Sequence, residues 1–488
     1  MVQSDSFRQR AMKTAFIAFT AVLAITICSK SSFLYPFNDW MDINCFMTVG
    51  KALTKGMIPY RDIYEQKGPF LYFLSAFAAT VSHTSFIGFW ILECVSAFFF
   101  LHYSWKTMRL LGVTNIFWIP IIALVVYSSG ALSHGGSVEE LCLPFFSYAL
   151  YYGAMLIRDI DHIDKRHLFF VGVTSALVLW MKFSLLGFYL GWILALSCIF
   201  IKKKQFKSLL SSILNIMLGV IVVSCPILLW YASHDALNDL MKAYFYNNIF
   251  IYSGGAGVLG KIRNLISGIH LSLVYLPVPL ILAGFGILYF LKKDLPLSLL
   301  FLLSGILTGI VIFSGGQGIQ YYPLALAPLC VIGVSAMDHV LEQKIQFADR
   351  QSKAAIICVT ILSALGMYLL SANTPFMKQD QSELPQFQFR DIISKEENPV
   401  LLNYDFMDGG FYTACDIYPD FKYFCRLNIE LPEMIQAQNQ YVSQRCATFV
   451  VTRNENPALD GYACIATSSY VHEGKVQTYY LYRLMDCK

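Results

Sequence analysis

The sequence predicts a mainly α-helical protein, a polytopic transmembrane bundle with an α/β domain outside the membrane at its C-terminal end. Three observations carry this. Of 488 residues, 56% are hydrophobic and 14% charged, against about 25% charged in soluble domains. The apolar residues fall in blocks of span length, and lipid accepts such blocks as helices because it cannot satisfy open backbone groups. After Ala372 the composition turns polar.

About eleven spans are read, near 14–32, 86–105, 115–133, 138–157, 167–181, 183–201, 208–232, 268–291, 295–314, 321–341 and 354–371. The first follows Arg8, Arg10 and Lys13 and lacks a small-residue cleavage site, so it reads as a retained anchor. Basic residues gather in alternate loops: Lys106 and Arg109; Arg158, Lys165 and Arg166; Lys202, Lys203, Lys204 and Lys207; Lys292 and Lys293; Lys344, Arg350 and Lys353. That side, shared with the basic N-terminus, should be cytoplasmic, and an odd number of spans puts the C-terminus outside. The alternation requires that 69–83, apolar but short, lie in or on the outer leaflet. The outer loop then runs over about 33–85, within a transmembrane domain 1–372, and a soluble domain follows at 373–488.

In the soluble part, strand-like runs occupy 400–404, 448–452 and 478–483, and a helical pattern covers 431–444 behind Pro432. Five cysteines lie there: Cys415, Cys425, Cys446, Cys464 and Cys487. Placement outside predicts one or two disulfides among them. No CxxC pair is present, which argues against a cysteine metal site, and no cofactor is expected. A net charge of +4 gives no argument for nucleic acid.

The chemistry concentrates in the first outer loop. Asp39 and Asp42 stand three apart at the start of an amphipathic pattern formed by Ile43, Phe46, Met47 and Leu53. Either carboxylate suits the first turn of a helix. Either could also deprotonate a hydroxyl at the membrane surface. Downstream, the run 56–69 reads Gly-Met-Ile-Pro-Tyr-Arg-Asp-Ile-Tyr-Glu-Gln-Lys-Gly-Pro, with Arg61 and Lys67 as candidate phosphate ligands and Glu65 beside them.

This loop resembles that of bacterial membrane glycosyltransferases of the GT-C type, family-39-like, a superfamily that includes protein O-mannosyltransferases and the lipid A aminoarabinose transferase. Its members place an Asp shortly after the first span, about four residues before an aromatic, as Asp42 precedes Phe46 here. Many continue with a G-x-x-P-Y-R-D pattern and a K-G-P or K-P-P element, matched by 56–62 and 67–69. The chain departs from the pattern at Ile43 and Cys45, where relatives often carry an acidic residue or Arg, and at Glu65, which is one residue farther from Lys67 than in some relatives.

The resemblance implies a bacterial inner-membrane enzyme, multi-pass, that moves a sugar from a polyprenyl-phosphate donor to a glycan, lipid or protein acceptor with inversion. Asp42 is then the catalytic base, and Asp39, Arg61, Glu65 and Lys67 contact substrate. Other outer turns supply Glu139 and Glu140 for the acceptor or sugar, Lys182 for the donor phosphate, and Tyr321 and Tyr322 before Pro323. Each has a plainer reading: helix-start acids, a snorkelling lysine, and interfacial tyrosines. Two rival functions share these charges, a flippase of a lipid-linked sugar and a non-catalytic assembly or sensor protein. Charges along mid-span would favour transport, and the spans here are nearly free of them.

Overall fold

A computed structural model describes residues 7–253, 257–315, 318–344, 353–472 and 474–485. Gly316, Gln317, Arg350 and Cys487 lie outside the described residues. The chain forms two compact units: Met1–Ser29, Trp90–Ile227 and Ala256–Thr374 make the first; Lys30–Phe89, Leu228–Gly255 and Pro375–Lys488 make the second.

The first unit is a helical bundle built for lipid. The helices Phe206–Ser233 and Lys353–Leu370 have only 17% and 11% of their apolar windows buried, a pattern that water would not tolerate. Val138–Arg158 and Tyr322–Glu342 are 78% buried and form its interior. Among the described residues eight helices are long and apolar enough to cross a membrane, and the pair Val258–Tyr275 and Pro277–Leu291, bent by 103°, makes a ninth if it is one broken span rather than a re-entrant loop. The break falls at Pro277, whose ring and missing N–H cannot continue a helix.

By helix length alone the described residues give eight or nine spans, against about eleven read from the sequence. The two remaining candidates are short. Trp118–Tyr127 has 10 residues and Lys165–Leu179 has 15. At about 1.5 Å per residue they fall short of a hydrocarbon core about 30 Å thick. Apolar flanks made both look longer in sequence than the helices are.

Lipid provides no hydrophobic drive for helix pairing, so close backbone approach matters. Gly187 and Gly191 face the helix Leu295–Ser314 so tightly that an added Cβ would lie 2.5 Å from the Leu307 carbonyl oxygen and 2.2 Å from that of Leu303. Only glycine fits this seam.

The second unit holds a four-stranded sheet in the order β1-β2-β4-β3, with β1 Leu401–Asn403, β2 Phe449–Arg453, β3 Tyr462–His472 and β4 Lys475–Leu484. β1 and β2 are parallel, which requires a crossover, and the helix Pro432–Ser443 lies in that connection. β4 pairs antiparallel with β2 and β3. Leu402, Val442, Ala447, Val450, Tyr462 and Tyr482 form the core. The three strand-like runs and the helix appear where the sequence puts them. β3 was not expected: it is rich in Ala, Ser and Thr, lies at the sheet edge and exposes Ile465. The same unit contains the loop helix Met41–Thr54 and, packed on it, Pro69–Val81, whose 13 residues are too few for a straight crossing.

Candidate functional site

In the second unit the entry to the loop helix is fixed by amides. The Trp40 N–H donates to Asn38 Oδ1 at 3.2 Å, and Asn44 Nδ2 donates to the carbonyls of Asn38 and Trp40 at 2.9 and 2.8 Å. This sets Asp42 in the first turn, half-buried. Asp39 is placed differently. It is buried, and its Oδ1 accepts from Lys30 Nζ at 2.6 Å. Lys30 Nζ also lies 3.8 Å from the centre of the Phe376 ring, and the Tyr470 hydroxyl donates to Asp39 Oδ2 at 3.4 Å. The two carboxylates therefore do not share one role: Asp39 belongs to a buried ion pair. Lys30 escaped sequence reading because it ends an apolar run.

Lys67 lies near the face that carries Asp42. Its ammonium is 5.8 Å from the centre of the Phe46 ring, one helical turn beyond Asp42. The loop around it is tightly held. Glu65 Oε2 accepts from the Lys67 N–H at 2.8 Å and from the Tyr72 hydroxyl, and Glu65 Oε1 is 3.9 Å from Lys67 Nζ. The Tyr60 hydroxyl donates to the Lys67 carbonyl at 2.5 Å. Asn247 Nδ2 donates to the Tyr64 hydroxyl at 2.9 Å and Asn248 Nδ2 to the Gln66 carbonyl at 2.8 Å. Glu65 is thus a support for Lys67. Arg61 is exposed and grips Asp62 at both oxygens, 2.7 and 2.8 Å, with a third bond to the His234 carbonyl at 2.6 Å. The Arg61 hydrogen bonds hold the Asp62 carboxyl below its ordinary range. A phosphate would have to displace that carboxylate to gain Arg61.

Farther along the loop helix, Thr48 Oγ1 donates to Asp408 Oδ2 at 2.5 Å, while Asn403 and the Gly410 N–H donate to Oδ1. Burial pushes the Asp408 carboxyl up to about 6 against these bonds. Lys51, fully buried, donates to the Tyr412 carbonyl at 3.0 Å and Asp416 at 3.1 Å; its burial lowers the ammonium pKa, opposed by Asp416. The C-terminal sheet segment thus clasps the helix that carries Asp42. Sequence reading found none of these contacts, since the partners lie more than 350 positions apart.

In the first unit four of the expected residues come together. Ser137 caps the helix Val138–Arg158, its side chain accepting from the Glu140 N–H at 3.1 Å. Glu139 is fully buried and its Oε1 accepts from Lys182 Nζ at 2.5 Å. Lys182 Nζ also lies 3.8 Å and 5.7 Å from the ring centres of Tyr322 and Tyr321. Lys182 is therefore paired, not snorkelling. Glu139 Oε2 and Glu140 Oε1 make no hydrogen bond among the described residues. Glu140 is equally buried but turns back to the Gly136 N–H at 2.8 Å. In the same unit an apolar groove of about 440 Å³ is lined by Ile269, Leu273, Leu280, Ile287, Phe301 and Ile306, among others.

No family model and no curated relative matches the sequence. Solved structures do match. ArnT from Cupriavidus metallidurans bound to undecaprenyl phosphate aligns with a TM-score of 0.60 at 9% identity, covering 98% of each chain. The same protein in the apo state gives 0.61 at 10% identity over 97% of each chain. Arabinofuranosyltransferase AftD from Mycobacteria gives 0.50 at 13% identity, covering 99% of this chain and 40% of that one. These likenesses show the fold: the expected helical bundle with a C-terminal sheet domain is the one observed, and ArnT and AftD share it.

Proposed function

We propose that this protein is a membrane glycosyltransferase that takes a sugar from a polyprenyl-phosphate donor to an acceptor hydroxyl at the outer face of a bacterial plasma membrane. The observation that carries the proposal is the loop helix, where Asp42 stands in the first turn and Lys67 beside Phe46 on the next, in a chain sharing its fold with an undecaprenyl-phosphate-bound protein. Asp42 takes the proton of the acceptor hydroxyl as that oxygen attacks the anomeric carbon, and lipid phosphate leaves from the opposite side, inverting the centre. The leaving phosphate gains charge, so the fixed Lys67 ammonium stabilises the transition state more than the ground state. Glu65, Tyr60 and Tyr72 hold Lys67 in place. Glu139 and Lys182, with Tyr321 and Tyr322, are the second group of substrate contacts. Glu140 shapes its turn. The apolar groove suits an isoprenoid tail.

The donor class is tested by mass spectrometry of lipids that co-purify with the protein. Polyprenyl-phosphate species should be present and should fall about tenfold in Lys67→Ala, the loss expected for one charge-assisted phosphate contact. Their absence from the unsubstituted protein would remove the donor assignment. A flippase would bind the same lipid but form no glycosylated product in detergent.

Orientation has its own test. Omitting both short helices leaves the number of spans odd, but it moves Arg158, Lys165 and Arg166 outside, against the positive-inside rule. In a background without native reactive thiols, cysteines at the exposed positions Lys55 and Lys395 should react from outside, and those at Lys203 and Lys165 should not. Reaction at Lys165 alone among the protected pair would reduce the spans to nine. Reaction at Lys203 would reverse the topology.

A further inference from the structure

The buried interior of the second unit contains a pair of cysteines that no role above uses. Cys45 precedes Phe46 on the loop helix and Cys425 lies in the C-terminal domain; both are fully buried or nearly so, and their sulfurs are 3.9 Å apart across 380 positions of chain. Each sulfur hangs from a backbone that is held on both sides. Asn44 and Thr48 fix the helix around Cys45. Around Cys425, the Asn403 N–H and the Tyr412 hydroxyl donate to the Phe424 carbonyl at 3.3 and 3.2 Å, and the Arg426 N–H donates to the Phe406 carbonyl at 2.9 Å. Of the other described cysteines in the domain, Cys446 and Cys464 are exposed and Cys415 is part-buried.

We propose that Cys45 and Cys425 are joined by a disulfide in the mature protein, a covalent tie between the helix that carries Asp42 and the C-terminal domain. Closing the gap from 3.9 Å to a bond of about 2.05 Å needs a movement of about 1.9 Å shared between two side chains. The proposal rests on the reading that this unit faces an oxidising compartment. It differs from the pairing expected within the domain, since here the partner of Cys425 comes from the first loop.

The chemistry is thiol–disulfide exchange. A thiolate of one cysteine attacks a donor disulfide, protein-borne or small, and releases one donor thiol. The second cysteine then attacks the mixed disulfide and releases the other. Two electrons and two protons pass from Cys45 and Cys425 to the donor, which ends as two thiols. Burial raises the pKa of both thiols in the folded protein and hides them from donors. The bond therefore forms while the interior is still open, and only after Cys425 has been made and exported.

The test takes full-length protein from the membrane of its host, alkylates it under denaturing, non-reducing conditions, digests it and weighs the peptides. The expected result is one linked pair joining the Cys45 and Cys425 peptides, separated by reductant, with Cys28, Cys142 and Cys330 alkylated directly. Both thiols alkylated without reduction, or Cys425 linked to another cysteine, would overturn the proposal. Labelling at Lys395→Cys from outside separates the two possible failures. Free thiols with outside labelling reject the bond alone; free thiols without it reject the orientation as well. The thermal midpoint supplies a second readout. Reductant, Cys45→Ser, Cys425→Ser and the double variant should each lower it by the same amount, about 5 °C, with no further drop when reductant meets a variant. Additive losses in the two single variants would point to packing and reject the bond.

Discussion

Asp42→Asn lowers turnover by about two to four orders of magnitude and leaves donor binding nearly unchanged. The amide keeps the size of the carboxylate and its place in the first helical turn, but it cannot take a proton. The measurement is transfer from a polyprenyl-phosphate sugar under single-turnover conditions, beside a direct binding titration with the same lipid. A flippase would keep its function in this variant. Normal turnover would move the base elsewhere, with Glu139 or Glu140 the next candidates, since each has one carboxyl oxygen without a hydrogen bond among the described residues. Asp39→Asn is a different kind of experiment. It removes the counter-charge of buried Lys30, so its first effect is on stability.

Lys182→Met costs about 3–5 kcal/mol of stability, because it leaves the fully buried Glu139 carboxylate without its counter-charge. The double variant Glu139→Gln, Lys182→Met should recover most of that loss, since two neutral side chains carry no desolvation debt. Denaturant midpoints in detergent measure both. Activity then separates scaffold from site. A double variant that folds normally and has lost transfer assigns the pair to substrate; one that folds and transfers at the original rate assigns it to architecture.

Much of this was legible in sequence, for a physical reason. Spans announce themselves because lipid demands long apolar runs, and β2 and β4 carry β-branched and aromatic residues beside turn signals. The loop motif singled out both Asp42 and Lys67 because they lie within one segment, and Lys67 comes to within 5.8 Å of the Phe46 ring, one turn beyond Asp42. What stayed hidden was pairing over distance. Glu139 and Lys182 were each suspected, but nothing in a linear chain says that residues 43 apart meet as a buried ion pair. Asp39 and Asp42 looked alike, and only Lys30 and Tyr470 tell them apart. Lys51 and Asp408 passed unnoticed, since a lysine and an aspartate in polar stretches resemble any surface charge. Helix ends were the other weakness: Trp118–Tyr127 is 10 residues long inside an apolar run nearly twice that length.

The glycine seam bears on how such a chain can change over time. Helices such as Phe206–Ser233 and Lys353–Leu370 leave most of their apolar windows unburied, where one apolar residue serves about as well as another, and a protein 9% identical to ArnT can keep the same fold. At Gly187 and Gly191 the neighbour is a carbonyl of the opposing backbone, which has no rotamer to yield. Substitution can drift freely around these two sites and must halt at them. Distant copies of this architecture would then be traced less by the apolar letters they share than by the spacing at which a side chain is missing.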